Sequence, residues 1–311
     1  MLKRDKVLIL FNPSAGGGKA MAKKARLEKI LQRHAVGFEL VVTDSERQLR
    51  KLTAEAARSE RGVVGVGGDS TFHIMVNEIM GAGKGAPLGL IGLGSSNDIA
   101  LEFGLDTLDK AALALKNGRI RKIDLGLIKA GKEKPAYFLG QANIGLGAAV
   151  NRYVADLAAK RSPWARFQTA AGVRGILNAY RTKTIPFTLN VKSGRQADQG
   201  SYVLAVFSNI RYWATGKMMC PGARPDDGLL DACLFRECSF ARLVRLNARA
   251  NRGRHGTCRE VEMLQSPSFE IAADEPFLIQ TDGDILSGPS GPLSLNKVRF
   301  EVAPGALNLI A

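Results

Sequence analysis

Gly67-Gly68-Asp69-Ser70-Thr71 is the stretch on which the reading of this chain turns. Upstream lies the apolar run Val63-Val64-Gly65-Val66; downstream, Phe72, Met75, Val76 and Ile79 recur at helical spacing. A buried strand, a glycine turn and a helix start form the geometry that points backbone N–H groups at an anion. The two glycines let a ligand come close to the backbone, and Asp69 adds a carboxylate. Taken alone, the stretch also reads as an ordinary strand-to-helix turn capped by Asp69 or Ser70.

Working outward, the pattern repeats. Lys6 to Phe11 reads as a buried strand followed by Asn12-Pro13-Ser14-Ala15-Gly16-Gly17-Gly18 and a helix over Lys19 to Arg33. Phe38 to Thr43 is a second strand, with a helix over Glu46 to Arg58. Leu88 to Leu93 is a fourth strand, followed by Gly94-Ser95-Ser96-Asn97-Asp98-Ile99-Ala100. A helix over Leu108 to Leu115 and a strand over Arg119 to Ile128 complete this part. Strands and helices in alternation predict an open parallel sheet, whose ligands lie at the strands' carboxyl ends. The glycine-bearing loops leave such ends, so they converge on one rim. The Asn12 loop is not a Walker A site, but its glycines and Lys19 suit phosphate contact or a purely structural turn.

The second half changes character. Tyr137 to Ile144, Phe187 to Lys192, Tyr202 to Asn209, Leu229 to Phe235, Arg259 to Leu264, Phe269 to Ala272 and Phe277 to Gln280 read as strands. Turns rich in Gly, Pro, Asp and Ser separate them, as in an antiparallel sandwich. Helical stretches over Ala148 to Tyr180, broken at Ser162-Pro163, and Ser239 to Arg252 interrupt them. A boundary near Gly131-Lys132-Glu133-Lys134 divides the chain into 1–130 and 131–311, with a last strand over Lys297 to Val302 free to return to either unit.

Composition narrows the function classes. The 311 residues are 45% hydrophobic and 23% charged, as in a folded globular protein, and carry a net charge of +15. That charge suits an anionic partner, nucleic acid or an anionic membrane surface. No helix-turn-helix or aromatic RNA-binding motif supports nucleic acid. Four cysteines without a C-x-x-C pair and three histidines argue against zinc and for free thiols. With no signal-peptide core and no apolar run of about 20 residues, the expectation is a cytoplasmic protein, peripheral on the membrane's inner face at most. On a helix over Ser239 to Arg252, Arg242, Arg245, Arg249 and Arg252 fall within roughly 80° at about 100° per residue. This reads as a membrane-surface helix or as a solvated face.

Pro225-Asp226-Asp227-Gly228-Leu229-Leu230-Asp231 and Asp282-Gly283-Asp284 complete a set of five motifs. In that order they resemble the diacylglycerol kinase catalytic family of bacterial lipid kinases, related to the sphingosine and ceramide kinases. The resemblance implies an NAD-kinase-like α/β domain, a β-sandwich domain, and Mg²⁺-dependent transfer of the ATP γ-phosphate to a lipid hydroxyl such as that of diacylglycerol. It implies nucleotide contacts from Asn12, Thr43, Gly67, Gly68, Asp69, Ser70, Thr71, Ser95 and Asn97. It places a structural Mg²⁺ at Asp227, with Asp226, Asp231 and the Leu229 backbone nearby. It makes Asp284, Asp282 and Asp69 the candidate catalytic carboxylates, with Asp284 where the family carries glutamate. Asp124 resembles a buried family aspartate. Ser70 replaces the usual glycine, and Gly92-Leu93-Gly94-Ser95 replaces Pro-x-Gly-Thr. The alternatives are an NAD kinase-like small-molecule kinase and a nucleotide- or lipid-binding relative that lost transfer at Ser70.

Overall fold

In the computed structural model, residues 7–83, 85–160, 168–182, 184–194, 196–288 and 290–311 are described. Five elements of the first part are short strands: β1 (Val7–Phe11), β2 (Phe38–Val42), β3 (Val63–Gly67), β4 (Leu88–Gly92) and β5 (Ile120–Lys129). Between them run α1 (Lys24–Arg33), α2 (Glu46–Arg58), α3 (Asp69–Gly81), α4 (Asp98–Glu102) and α5 (Leu108–Asn117). β1, β3 and β4 are almost wholly buried apolar runs, the signature of a parallel sheet covered on both faces. They pair in parallel in the order β2-β1-β3-β4.

Local chemistry sets the helix limits. Ser45 caps α2 by accepting from the Gln48 amide, and the Gln48 side chain reaches back to the Asp44 amide. Thr107 caps α5, which ends at Gly118 in the left-handed region (φ 60°). The helix expected from Lys19 begins only at Lys24, after a 3-10 turn at Met21–Lys23; Gly16, Gly17 and Gly18 all have positive φ and keep the chain in a wide loop.

The second part contributes β6 (Ala136–Phe138), β7 (Gln141–Gly145), α6 (Leu146–Ala159), α7 (Gln168–Arg181), β8 (Phe187–Ser193) and β9 (Gln196–Ser208). The hairpin β10 (Tyr212–Trp213) and β11 (Lys217–Met218), then β12 (Leu230–Arg236), α8 (Phe240–Ala250) and β13 (Val261–Ser266) follow. β14 (Ser268–Phe277), β15 (Ile279–Thr281), β16 (Asp284–Ile285), β17 (Ser287–Gly288), β18 (Gly291–Pro292) and β19 (Leu295–Ile310) end the chain. The break expected at Ser162-Pro163 lies outside the described residues. The strands β7, β8, β9, β12, β13, β14 and β15 pair antiparallel, giving a β-rich second half with Phe207 stacked on Phe300 at 4.3 Å in its core.

The last strand, expected over Lys297 to Val302, is sixteen residues long as β19 and joins both halves. It pairs antiparallel with β14 and β5, and its last residues, Leu309 and Ile310, pair in parallel with β4. Its register slips between Ala303 and Leu307, where Gly305 takes a positive φ. There the buried Asp124 carboxylate accepts from the Gly305 amide and from the Gly228 amide, each at 2.7 Å. One side chain thus ties β5, β19 and the 225–228 loop together. Asp124→Ala would orphan both amides and is expected to lower stability by about 2–4 kcal/mol. Urea unfolding of the two proteins checks this; a loss below about 0.5 kcal/mol would contradict it.

Candidate active site

The glycine loops meet backbone to backbone. A Cβ on Gly94 would lie 2.4 Å from the Gly68 Cα, and one on Gly16 would lie 2.9 Å from the Leu93 oxygen. A Cβ on Gly67 would overlap Thr71 Oγ1 at 2.2 Å. The Leu93 and Gly94 amides both donate to the Gly67 carbonyl, at 2.7 and 3.0 Å. Three loops at the ends of β1, β3 and β4 therefore share one small volume, which side chains would fill.

Several residues expected to touch nucleotide hold the rim together. Asn12 Nδ2 donates to Thr71 Oγ1 at 3.0 Å, while Asn12 Oδ1 accepts from the Ser14 amide. Thr43 is 3% exposed, and its hydroxyl donates to the Phe11 carbonyl. Asn97, at φ 59°, clips the Gly94 loop by accepting from the Gly94 amide and donating to the Gly94 carbonyl. Ser95 is exposed and Ser70 half-buried. Gly68, not Asp69 or Ser70, is the N-cap residue of α3. Ser70 lies within the helix and is absent from the non-glycine residues of positive φ, so its side chain imposes no left-handed strain.

Asp69 faces the neighbouring helix. Its two oxygens accept from the Asp98 and Ile99 amides at 3.2 and 3.1 Å, capping α4. Burial, helped by the nearby Asp98 and Asp282 carboxylates, pushes its carboxyl up to about 7 against the pull of those amides. Asp98 in turn reaches the second half, accepting from the Thr215 and Gly216 amides at 3.1 and 2.6 Å. Beside it, the nearly buried Glu102 pairs with Arg211.

The Asp282-Gly283-Asp284 turn reaches the same place from the opposite side. Asp282, at φ 44°, has a fully buried carboxylate that accepts from the Leu139, Gly140 and Gln141 amides at 2.8–2.9 Å. His73 Nδ1 of α3 stands 3.3 Å from the same carboxylate. The Asp282 carboxylate, expected as catalytic, is thus surrounded by three backbone amides and His73. A Cβ on Gly283 would sit 3.0 Å from Ser70 Oγ, which brings the turn against the start of α3. Asp284 is partly open to solvent. Packing around its carboxyl raises its pKa above the usual carboxylate range, while the His73 imidazole and the Ser70 hydroxyl pull it down.

The Asp226-Asp227 loop is separate. Asp226, expected near a metal, is paired with Arg121 at 2.6 Å, with Arg224 at 3.8 Å. Asp227 accepts from the Leu229 amide. Asp231 is pushed up to about 6, chiefly by burial and further by the Asp227 charge, against the pull of Gln265. Two neighbouring carboxylates in one turn suit a hard cation. Among the described residues, no group of three or more His, Cys, Asp or Glu side chains could hold a metal ion.

Sequence reasoning did not single out His73, Asp98 or Glu102. The signal for His73 was available: it lies four residues after Asp69 on the same helix.

The family model described as diacylglycerol kinase catalytic domain matches residues 6–128, and that described as YegS C-terminal NAD kinase beta sandwich-like domain matches residues 140–311. A protein named "Diacylglycerol kinase" from Mycobacterium tuberculosis is 29% identical, over 92% of this chain and 93% of its own. One named "Probable lipid kinase YegS-like" from Pseudomonas aeruginosa is 29% identical over 99% and 95%. A crystal structure of a diacylglycerol kinase from Bacillus anthracis superposes with a TM-score of 0.69, at 17% identity, covering 100% of this chain and 98% of that one. A glycine-built rim on an α/β half, completed by a turn from a β-rich half, thus places this chain in the lipid kinase family defined by the diacylglycerol kinase catalytic domain and the YegS C-terminal domain.

Proposed function

We propose that this protein is an ATP-dependent lipid kinase that phosphorylates the hydroxyl of a diacylglycerol-like lipid, with 1–130 serving the nucleotide and 131–311 the lipid. The observation that carries the reading is the seating of the Asp282–Asp284 turn against Ser70 and His73, on the helix that starts at Gly68. An acidic group from one half thereby stands beside the anion-directed amides of the other.

In this reading the amides opening α3 and the Ser70 and Ser95 hydroxyls hold phosphate oxygens. The rim residues Asn12, Thr71 and Asn97 keep those donors in place. The lipid oxygen attacks the γ-phosphorus, its bond to the β,γ-bridging oxygen breaks, and ADP leaves. The hydroxyl proton passes to the Asp284 carboxylate, which remains partly open and carries a raised affinity for it. Asp282 and Asp69 position: one anchors the turn, the other fixes α4. Mg²⁺, when bound, would supply neutralisation of phosphate charge, and a structural Mg²⁺ would be held by Asp227, Asp231 and carbonyls of the Leu229 turn.

Incubation with γ-labelled ATP and extracted membrane lipids tests the proposal. Label should appear in an organic-phase lipid; label in NAD, or in no product despite ATP binding, would contradict it. In that assay Asp284→Asn is expected to lower turnover by about 10²–10⁴ with ATP affinity nearly intact, and parallel loss of ATP binding would remove Asp284 from the proton-acceptor role. Ser70→Gly removes a hydroxyl that lowers the Asp284 pKa, so the acidic limb of the rate profile should move to higher pH, with turnover similar or lower. A large rise in turnover would instead mark Ser70 as a damaging replacement. Mg²⁺ should raise the melting temperature of the wild type and not of Asp227→Ala; equal responses would exclude the structural site.

A further inference from the structure

A cavity of about 780 Å³ shares no residue with the glycine rim. It lies at the start of α8, where Arg236, Arg242, Arg245 and Arg259 line it together with Glu237 and Glu260. Arg236 is held by Asp198 and Glu262, so of the four arginines it is the remaining three that bear on an incoming anion. Glu260 is paired with both Arg242 and Arg259, which hold its carboxyl down at about 2, and Glu237 accepts from the Ser201 hydroxyl. Among the described residues, Arg245 has no carboxylate partner, and the Arg259 side chain is 91% exposed.

The rest of α8 divides just as sharply. Leu243, Leu246 and Ala250 are buried and seat the helix on the core. At about 100° per residue, the exposed Phe240, Val244 and Ala248 lie within roughly 80° on the outward side. Arg245 and Arg249, also exposed, lie within roughly 40° beside them. The apolar stripe extends across Phe240 to α7: the Tyr180 ring meets it edge-on at 6.2 Å, and Leu177 of the same helix is 51% exposed. An apolar stripe flanked by arginines, on a helix whose third side is already packed, matches a surface that lies in a bilayer interface.

We infer that the outward face of α8 docks on an anionic phospholipid bilayer, with Phe240 and Val244 entering the acyl boundary and the arginine-lined cavity receiving a lipid phosphate. The occupant follows from charge complementarity to Arg245 and Arg249, for which no carboxylate partner stands among the described residues, and to a chain of net charge +15. It rests also on the lipid-kinase reading, because an acceptor lipid resides in a bilayer. Among the described residues no helix is long and apolar enough to cross a membrane, so attachment through helices is to one leaflet.

The test is sedimentation of the full chain, without nucleotide, with vesicles of phosphatidylcholine mixed with phosphatidylglycerol, against pure phosphatidylcholine. The wild type should bind the anionic vesicles and release with added salt. Phe240→Asp and Val244→Asp, each checked for an unchanged melting temperature, should weaken binding about tenfold or more. Arg245→Ala and Arg259→Ala should each weaken it about fivefold, and Lys51→Ala, an exposed cation on α2, should weaken it less. Absence of wild-type binding, indifference to the α8 substitutions, or an equal effect of Lys51→Ala would each overturn the inference. Phosphorylation of a lipid dispersed in detergent micelles tests the kinase reading separately. Vesicle binding through α8 without micelle labelling removes only that reading, and micelle labelling without vesicle binding removes only the docking surface.

Discussion

A single buried carboxylate joins the two halves of the site. Asp282 sits where water cannot reach it and accepts three backbone amides, with His73 as a fourth neighbour. Stripping a carboxylate of water costs several kcal/mol, and charge-assisted bonds to fixed amides are the means of offsetting it. The amides are those of Leu139, Gly140 and Gln141, and they are reachable because β6 and β7 are interrupted there. Gly140 must lack a side chain, since a Cβ would stand 2.9 Å from Asp282 Oδ1. The same carboxylate fixes the turn that carries Asp284 and places it beside α3. Asn77, one turn further along α3, exchanges two hydrogen bonds with the backbone of Tyr137 and holds β6 against that helix.

The glycine rim works by the opposite means, through absence of side chains. Gly16, Gly68 and Gly94 let three loops touch, and Asn97 accepts a left-handed conformation to close the third. Asp69 then ties that assembly to α4, and Asp98 ties α4 to the Thr215-Gly216 turn. Carboxylates thus serve as connectors along most of the seam. In the proposed reading Asp284 is left to chemistry because, unlike Asp282, it stays open to solvent.

The α/β part of this architecture was legible because its elements are local. Buried apolar runs, Ser45 and Thr107 as caps, and glycines at strand ends specify themselves within a few residues. The gathering of loops on one rim followed from the parallel sheet. What sequence could not convey was partnership across long separations. Tyr137 to Ile144 read as one strand, yet it breaks at Leu139-Gly140 to serve a carboxylate some 140 positions later. The last strand reads as ending at Val302, because Ala303-Pro304-Gly305 has turn composition; it continues as a bulge held by Asp124. Asp282 and Asp226 were read as chemical groups because an acidic residue in a glycine turn is equally suited to a ligand or to its own backbone. The three amides around Asp282 and the Arg121 beside Asp226 come from distant positions that the sequence pattern does not display.

The central claim is that the glycine rim and the Asp284 turn form one phosphoryl-transfer site. The most direct measurement is a crystal structure of the full chain with Mg²⁺ and a non-hydrolysable ATP analogue. The account predicts phosphate oxygens on the amides that open α3 and on the Ser95 loop, with the γ-phosphate directed toward Asp284. A nucleotide bound elsewhere, or one whose terminal phosphate points away from the Asp282–Asp284 turn, would contradict it.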